Sequence, residues 1–89
     1  MARRQKRLDH QELLETKLSE LAALVKDLSA QAQVEISFER YEDEDAAVDV
    51  YPPPDTSAED IKRLEVAVGE RCHDILLETG LFIIGAVRS

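Results

Sequence analysis

The sequence predicts an α+β fold in which a helix, two strands, a second helix and a third strand follow one another. Apolar residues first recur at helical spacing from Asp9 to Gln33, and two short segments then alternate apolar and polar residues. A second helical stripe follows between Thr56 and Gly80, before a last apolar segment. The predicted architecture is a three-stranded mixed sheet with strand order 2-1-3 and two helices on one face.

Length and composition favour one small domain. The chain has 89 residues, of which 44% are hydrophobic and 34% are charged. This is too apolar for an intrinsically disordered chain and too charged for a membrane protein. The single cysteine, Cys72, excludes an internal disulfide and fits a reducing compartment. We therefore predict a cytoplasmic domain over residues 9–89, preceded by a basic disordered arm over residues 1–8.

The first helix is predicted to carry a seam of apolar residues spaced alternately four and three residues apart. Asp9 is its predicted N-cap, and no Gly or Pro interrupts the segment. At 1.5 Å per residue the helix extends about 36 Å, which exceeds the roughly 20 to 26 Å of the strands. Because an overhanging apolar seam needs a partner, we predict self-association through Leu14, Leu18, Leu21, Val25 and Leu28.

The two alternating segments, residues 34–41 and 46–51, predict a hairpin with one buried face. The register follows from that face. A four-residue loop would set apolar residues beside acidic ones, whereas a loop over residues 41–45 pairs Phe38 with Val48 and keeps the apolar residues together. We predict the second register.

Three consecutive prolines, Pro52 to Pro54, end the second strand, because they have no N–H groups to continue a ladder. Thr56 and Glu59 form a predicted capping box for the second helix, and Gly80 is its predicted left-handed cap. Residues 81–87 form the last strand. Their nearly continuous apolar character indicates either that the second face of the sheet is covered or that this edge pairs with another copy.

No residue pattern predicts catalysis, and we expect no cofactor and no metal. The acidic residues 42–45 are contiguous, whereas calcium loops space their ligands, so we interpret them as a solvated hairpin tip. An enzyme that uses this acidic hairpin with a metal is the least favoured hypothesis. Cys72 and His73 are adjacent, but helical neighbours point about 100° apart, and Cys72 is predicted to pack as a small hydrophobe.

The formal net charge is −8, and the basic residues are unevenly placed. From Leu8 onward, seven basic residues stand against all nineteen acidic ones, so the folded body repels a phosphate backbone. An alternative hypothesis is therefore a regulatory nucleic-acid-associated protein that contacts phosphate only through its N-terminal arm. The contacting residues would be Arg3, Arg4, Lys6 and Arg7.

A second apolar group lies on the second helix, outside its core stripe. It comprises Val66, His73 and Leu77, which fall on one line of the helix surface. Together with the overhanging first helix and the apolar last strand, it exceeds the apolar surface that a lone small domain buries. The leading hypothesis is a non-enzymatic interaction module that forms a homodimer, through either the seam or the last strand.

Overall fold

The computed structural model describes residues 2–38 and 43–88, with side chains described from His10 onward. It confirms the predicted α+β class and the order of elements. Both helices pack on the same face of a three-stranded mixed sheet, because their buried residues share one core with the inward side chains of the strands. The elements are α1 (Ala2–Leu28), β1 (Gln33–Ser37), β2 (Ala46–Tyr51), α2 (Ala58–Thr79) and β3 (Ile83–Val87).

The strand order is β1-β2-β3, so the predicted order 2-1-3 is wrong. β2 lies at the centre, antiparallel to β1 and parallel to β3, and the predicted parallel crossover is confirmed. Burial explains the difference. The inward residues of β2, Ala46, Val48 and Val50, are all buried, whereas Ile36 of β1 remains 41% exposed. Of the two hairpin strands, β2 has the more deeply buried residues and lies at the centre, and β1 lies at an edge.

The hairpin register is shifted by two residues from the prediction. Val34 lies opposite Val50, and Ile36 lies opposite Val48, the residue predicted to face Phe38. A shift of two keeps every side chain on its predicted face, since the side-chain period of a strand is two. Phe38 instead follows β1 and is exposed. The predicted loop over residues 41–45 lies partly outside the described residues.

The helix α1 differs from its prediction at both ends. It begins at Ala2, so Asp9 is not its N-cap. It ends at Leu28, five residues before Gln33. There the Ser29 N–H donates to the Val25 carbonyl at 2.8 Å, and the Ala32 N–H donates to the Ser29 carbonyl at 3.0 Å. A tight turn therefore leads directly into β1.

The helix α2 has a defined cap at each end. Its N-cap is Ser57, whose Oγ accepts from the Asp60 N–H at 3.1 Å, so the predicted cap at Thr56 is wrong by one residue. Gly80 has a φ of 80° and is the predicted left-handed cap. Its N–H donates to the Leu76 carbonyl at 2.8 Å. The caps therefore fix where α2 starts and where the chain turns towards β3.

A glycine in β3 allows α2 to lie close to the sheet. A Cβ placed on Gly85 would lie 2.5 Å from Cγ1 of Val68 and 3.2 Å from Sγ of Cys72. These two side chains therefore occupy the space that any other residue at position 85 would need. The close approach completes a single core, formed by Leu14, Leu18, Leu21, Val25, Ala32, Ala46, Val48, Val50, Leu64, Val68, Ile75, Leu81 and Ile83.

Candidate interaction surface

The outer edge of β3 pairs with no other strand among the described residues, because β3 is last in the strand order. Its inner side bonds to the β2 segment. The Phe82 carbonyl accepts from the Asp45 N–H, and the Arg88 N–H donates to the Val50 carbonyl, both at 2.7 Å. Main-chain groups alternate in direction along a strand. The main-chain groups of the even-numbered residues therefore point to β2, and the open side receives those of Ile83, Gly85 and Val87.

The residues of this edge lack the charges and prolines that commonly protect an edge strand from pairing. Natural edge strands are blunted by charged side chains, prolines or bulges. Residues 81–87 contain no charge and no proline, and Phe82 and Ile84 are 39% and 41% exposed. The opposite edge, β1, has Glu35 at its centre. The β3 edge is therefore the less protected of the two.

The face of the sheet turned away from the helices carries small and apolar side chains together with one ion pair. Ala47 of β2 lies beside Ile84, and Asp49 lies beside Ala86. The Arg88 side chain reaches back across β2, where its Nε donates to Asp49 Oδ1 at 3.0 Å. The cation at the end of β3 is therefore paired within the chain, and the apolar part of the outer face is limited to Ala47, Ile84 and Ala86.

The acidic segment before β2 anchors the start of β3. Asp45 donates its N–H to the Phe82 carbonyl at 2.7 Å, and its Oδ2 accepts from the Phe82 N–H at 2.8 Å. Its Oδ1 lies 3.9 Å from Nε2 of His10. Glu44 is only 2% exposed. The prediction of a solvated hairpin tip is therefore wrong for Glu44 and Asp45. No feature of the sequence indicates that Glu44 is buried or that Asp45 bonds to Phe82.

The predicted seam on α1 serves the chain's own core. Leu14, Leu18, Leu21 and Val25 are buried in the core that α1 shares with α2 and the sheet, so a partner would reach them only by displacing these elements. Leu28, the last seam residue, is 43% exposed at the end of α1. These four buried residues are therefore not accessible to a second copy.

The second predicted group lies on the outer ridge of α2. Leu77 is 71% exposed, Val66 is half exposed, and His73 is exposed on the same side of the helix. The ridge is interrupted by charges, because Lys62 and Glu70 flank Val66. The structure therefore brings these three residues onto one side of α2 but gives them no continuous apolar surface.

Known proteins do not help to interpret this surface. No protein-family model matches the chain, and neither a curated protein nor a solved structure shows a significant match. Neither helix of the described chain has the long apolar stretch that crossing a bilayer requires. We therefore infer function from the geometry of the chain itself.

The remaining predicted residues carry no assembled site. No three His, Cys, Asp or Glu side chains of the described part come together as a metal site. Burial raises the pKa of the Cys72 thiol, which packs over Gly85 and stays protonated at neutral pH. The predicted phosphate contacts lie in the first turns of α1, outside the described side chains; they are Arg3, Arg4, Lys6 and Arg7.

Proposed function

We propose that the protein is a non-enzymatic interaction module that associates with a second copy of itself through β3. The observation that supports this proposal is the open, uncharged edge formed by residues 81–87. Strand addition at such an edge joins chains through main-chain hydrogen bonds, and side chains on the adjoining faces add selectivity. Phe82 and Ile84 supply apolar surface for that contact.

Two other apolar regions are less suited to this role. The seam of α1 is already buried, as described above. The ridge of Val66, His73 and Leu77 is exposed, but it offers only side chains separated by charged residues. The β3 edge combines unused main-chain donors and acceptors with exposed apolar side chains. Self-association through β3 therefore combines main-chain and side-chain contacts, which the α2 ridge does not offer.

Light scattering at micromolar concentrations tests the proposal, with an expected mass of twice the 10.0 kDa chain. Ile84→Lys places a charge beside the open edge, a device by which natural edge strands prevent pairing. We expect this variant to be monomeric. Leu77→Lys is the matched control, because it adds the same charge to a more exposed residue of the α2 ridge, and it should leave the dimer intact.

A wild-type mass of one chain at every concentration up to about millimolar, the weak end of measurable affinity, contradicts self-association. A dimer that Leu77→Lys dissociates and Ile84→Lys preserves contradicts the use of β3 and assigns the contact to the α2 ridge. Circular dichroism of both variants verifies that the added lysine has not unfolded the chain.

A further inference from the structure

We infer that the second copy adds its β3 antiparallel to this β3, with the two-fold axis at Gly85, so that two sheets become one of six strands. This inference rests on the proposed self-association and specifies its geometry. Ile83 then lies opposite Val87 of the second copy, and Gly85 lies opposite its own equivalent. The axis stands perpendicular to the sheet, which keeps all four helices on one face.

The direction of the main-chain groups selects this register. Residues directly opposite one another in an antiparallel pair lie on the same face, and alternate pairs exchange two main-chain hydrogen bonds each. The residues of β3 whose main-chain N–H and C=O groups point to the open side are Ile83, Gly85 and Val87. When Gly85 lies on the axis, these three residues of one copy face the same three residues of the second copy across the strand pair. A register slipped by two residues leaves one of them beyond the paired strand.

The position of α2 supplies an independent reason for a second copy at this edge. Ala67, Arg71 and Asp74 share a groove with Leu24, so they mark the side of α2 that faces α1. Cys72 lies over Gly85 of β3. At 100° per residue, Gly69 and Leu76 lie about 40° to 60° beyond Cys72, on the side away from α1. This flank therefore faces the space above the open edge.

No contact within the described part of the chain requires a glycine at position 69. A Cβ built on it meets no atom within 4 Å, and it lies in the interior of α2. A glycine in a helix interior costs roughly 0.5 to 1 kcal/mol relative to alanine. When two copies of β3 pair, their α2 helices lie side by side and antiparallel over the new strands. A missing side chain at Gly69 lets these helices approach closely, with Leu76 beside the crossing.

The charges also favour a second copy at this edge. Residues 81–87 are uncharged, so no like charges meet along the paired strands even though each chain carries a net charge of −8. At the ends of the pairing, Arg88 of one copy lies opposite Phe82 of the other. The Phe82 N–H is bonded to the Asp45 carboxylate. Arg88, which is paired with Asp49 of its own chain, therefore lies near Asp45 of the second copy in this register.

Disulfide trapping tests the register. In a Cys72→Ala background, Ile84→Cys and Ala86→Cys are made as separate proteins. The proposed register opposes residue 84 of one copy to residue 86 of the other in a non-hydrogen-bonded pair. The Cα atoms of such a pair are about 4.5 Å apart, within the range that a disulfide bridges. We expect mild oxidation to cross-link the mixture and to leave each protein alone uncross-linked.

Each outcome separates the geometry from the proposed function. Cross-linking of Ile84→Cys alone, or no cross-linking of a mixture that light scattering shows to be dimeric, overturns the pairing and leaves self-association standing. A monomeric wild type removes both. As a second measurement, Gly69→Leu should weaken the dimer about tenfold or more, a change of at least about 1.4 kcal/mol. Glu70→Leu, on another side of α2, should not, and equal affinities would contradict the helix contact.

Discussion

Replacing Leu21 with alanine is expected to lower the free energy of unfolding by about 2 to 5 kcal/mol. Leu21 lies in the middle of α1, is fully buried, and belongs to the core that both helices share with β2. Alanine removes three carbons from a position that the surrounding side chains cannot collapse to fill. An 89-residue domain has a total stability of roughly 4 to 13 kcal/mol, so the loss is a large share of it.

Chemical denaturation followed by circular dichroism measures this change. Leu28→Ala is the matched control, because Leu28 belongs to the same helix and the same heptad pattern but is largely exposed. We expect the control to lose no more than about 1 kcal/mol. If Leu21→Ala instead leaves the unfolding curve unchanged and dissociates an oligomer, the seam is an interface between copies and not the core of one chain.

Gly85→Val should destabilise the chain by about 1 to 3 kcal/mol, the usual cost of overpacking a core. Valine is otherwise well suited to a strand. The expected loss arises because the new Cβ would lie 2.5 Å from Cγ1 of Val68, and α2 must then move away from β3. Denaturation at a concentration where both proteins are monomeric measures the effect of the substitution on folding alone.

The double variant Gly85→Val with Val68→Ala identifies the cause of this loss. Val68→Ala is itself destabilising, because Val68 is buried. It also removes the methyl group that Gly85→Val meets. We expect the double variant to lose less than the sum of the two single losses, with a coupling of about 0.5 to 3 kcal/mol. Strictly additive losses would mean that the two side chains do not compete for space.

Two predictions that local physics controls, the left-handed cap of α2 and the bounds of β2, are confirmed. The Gly80 cap follows from the left-handed backbone that glycine accepts, and helical spacing accounts for the buried Leu64, Val68 and Ile75 of α2, whereas Leu76 of the predicted stripe is exposed. The strand β2 has the predicted bounds, because its alternating residues precede three prolines. The cap of α2 is Ser57 and not the predicted Thr56. Both hydroxyl residues satisfy the same local pattern, and only the tertiary fold selects one of them.

The strand order and the hairpin register, which depend on competition between segments of the sheet, are wrong. Strand order is decided by which strand buries more apolar surface under the helices, and this quantity is unknown until the helices are placed. The predicted register of β1 differs from the observed one by two residues, because both registers keep the same face inward and the pattern does not distinguish them. The composition of residues 81–87 predicts an edge strand, and β3 lies at an edge of the sheet. The use of Asp45 to hold Phe82 joins residues far apart in the chain and has no local signature.

The uncharged β3 edge makes ionic strength a sensitive variable for this protein. Two chains that each carry a net charge of −8 repel one another over distances that salt shortens, to about 10 Å at 0.1 M. Contacts through apolar side chains and main-chain groups lose little to added salt, so association through β3 tightens as salt is added. Phosphate binding by a basic segment releases counterions and weakens under the same titration. The sign of the salt dependence therefore separates a chain that binds its own copy from one that binds nucleic acid.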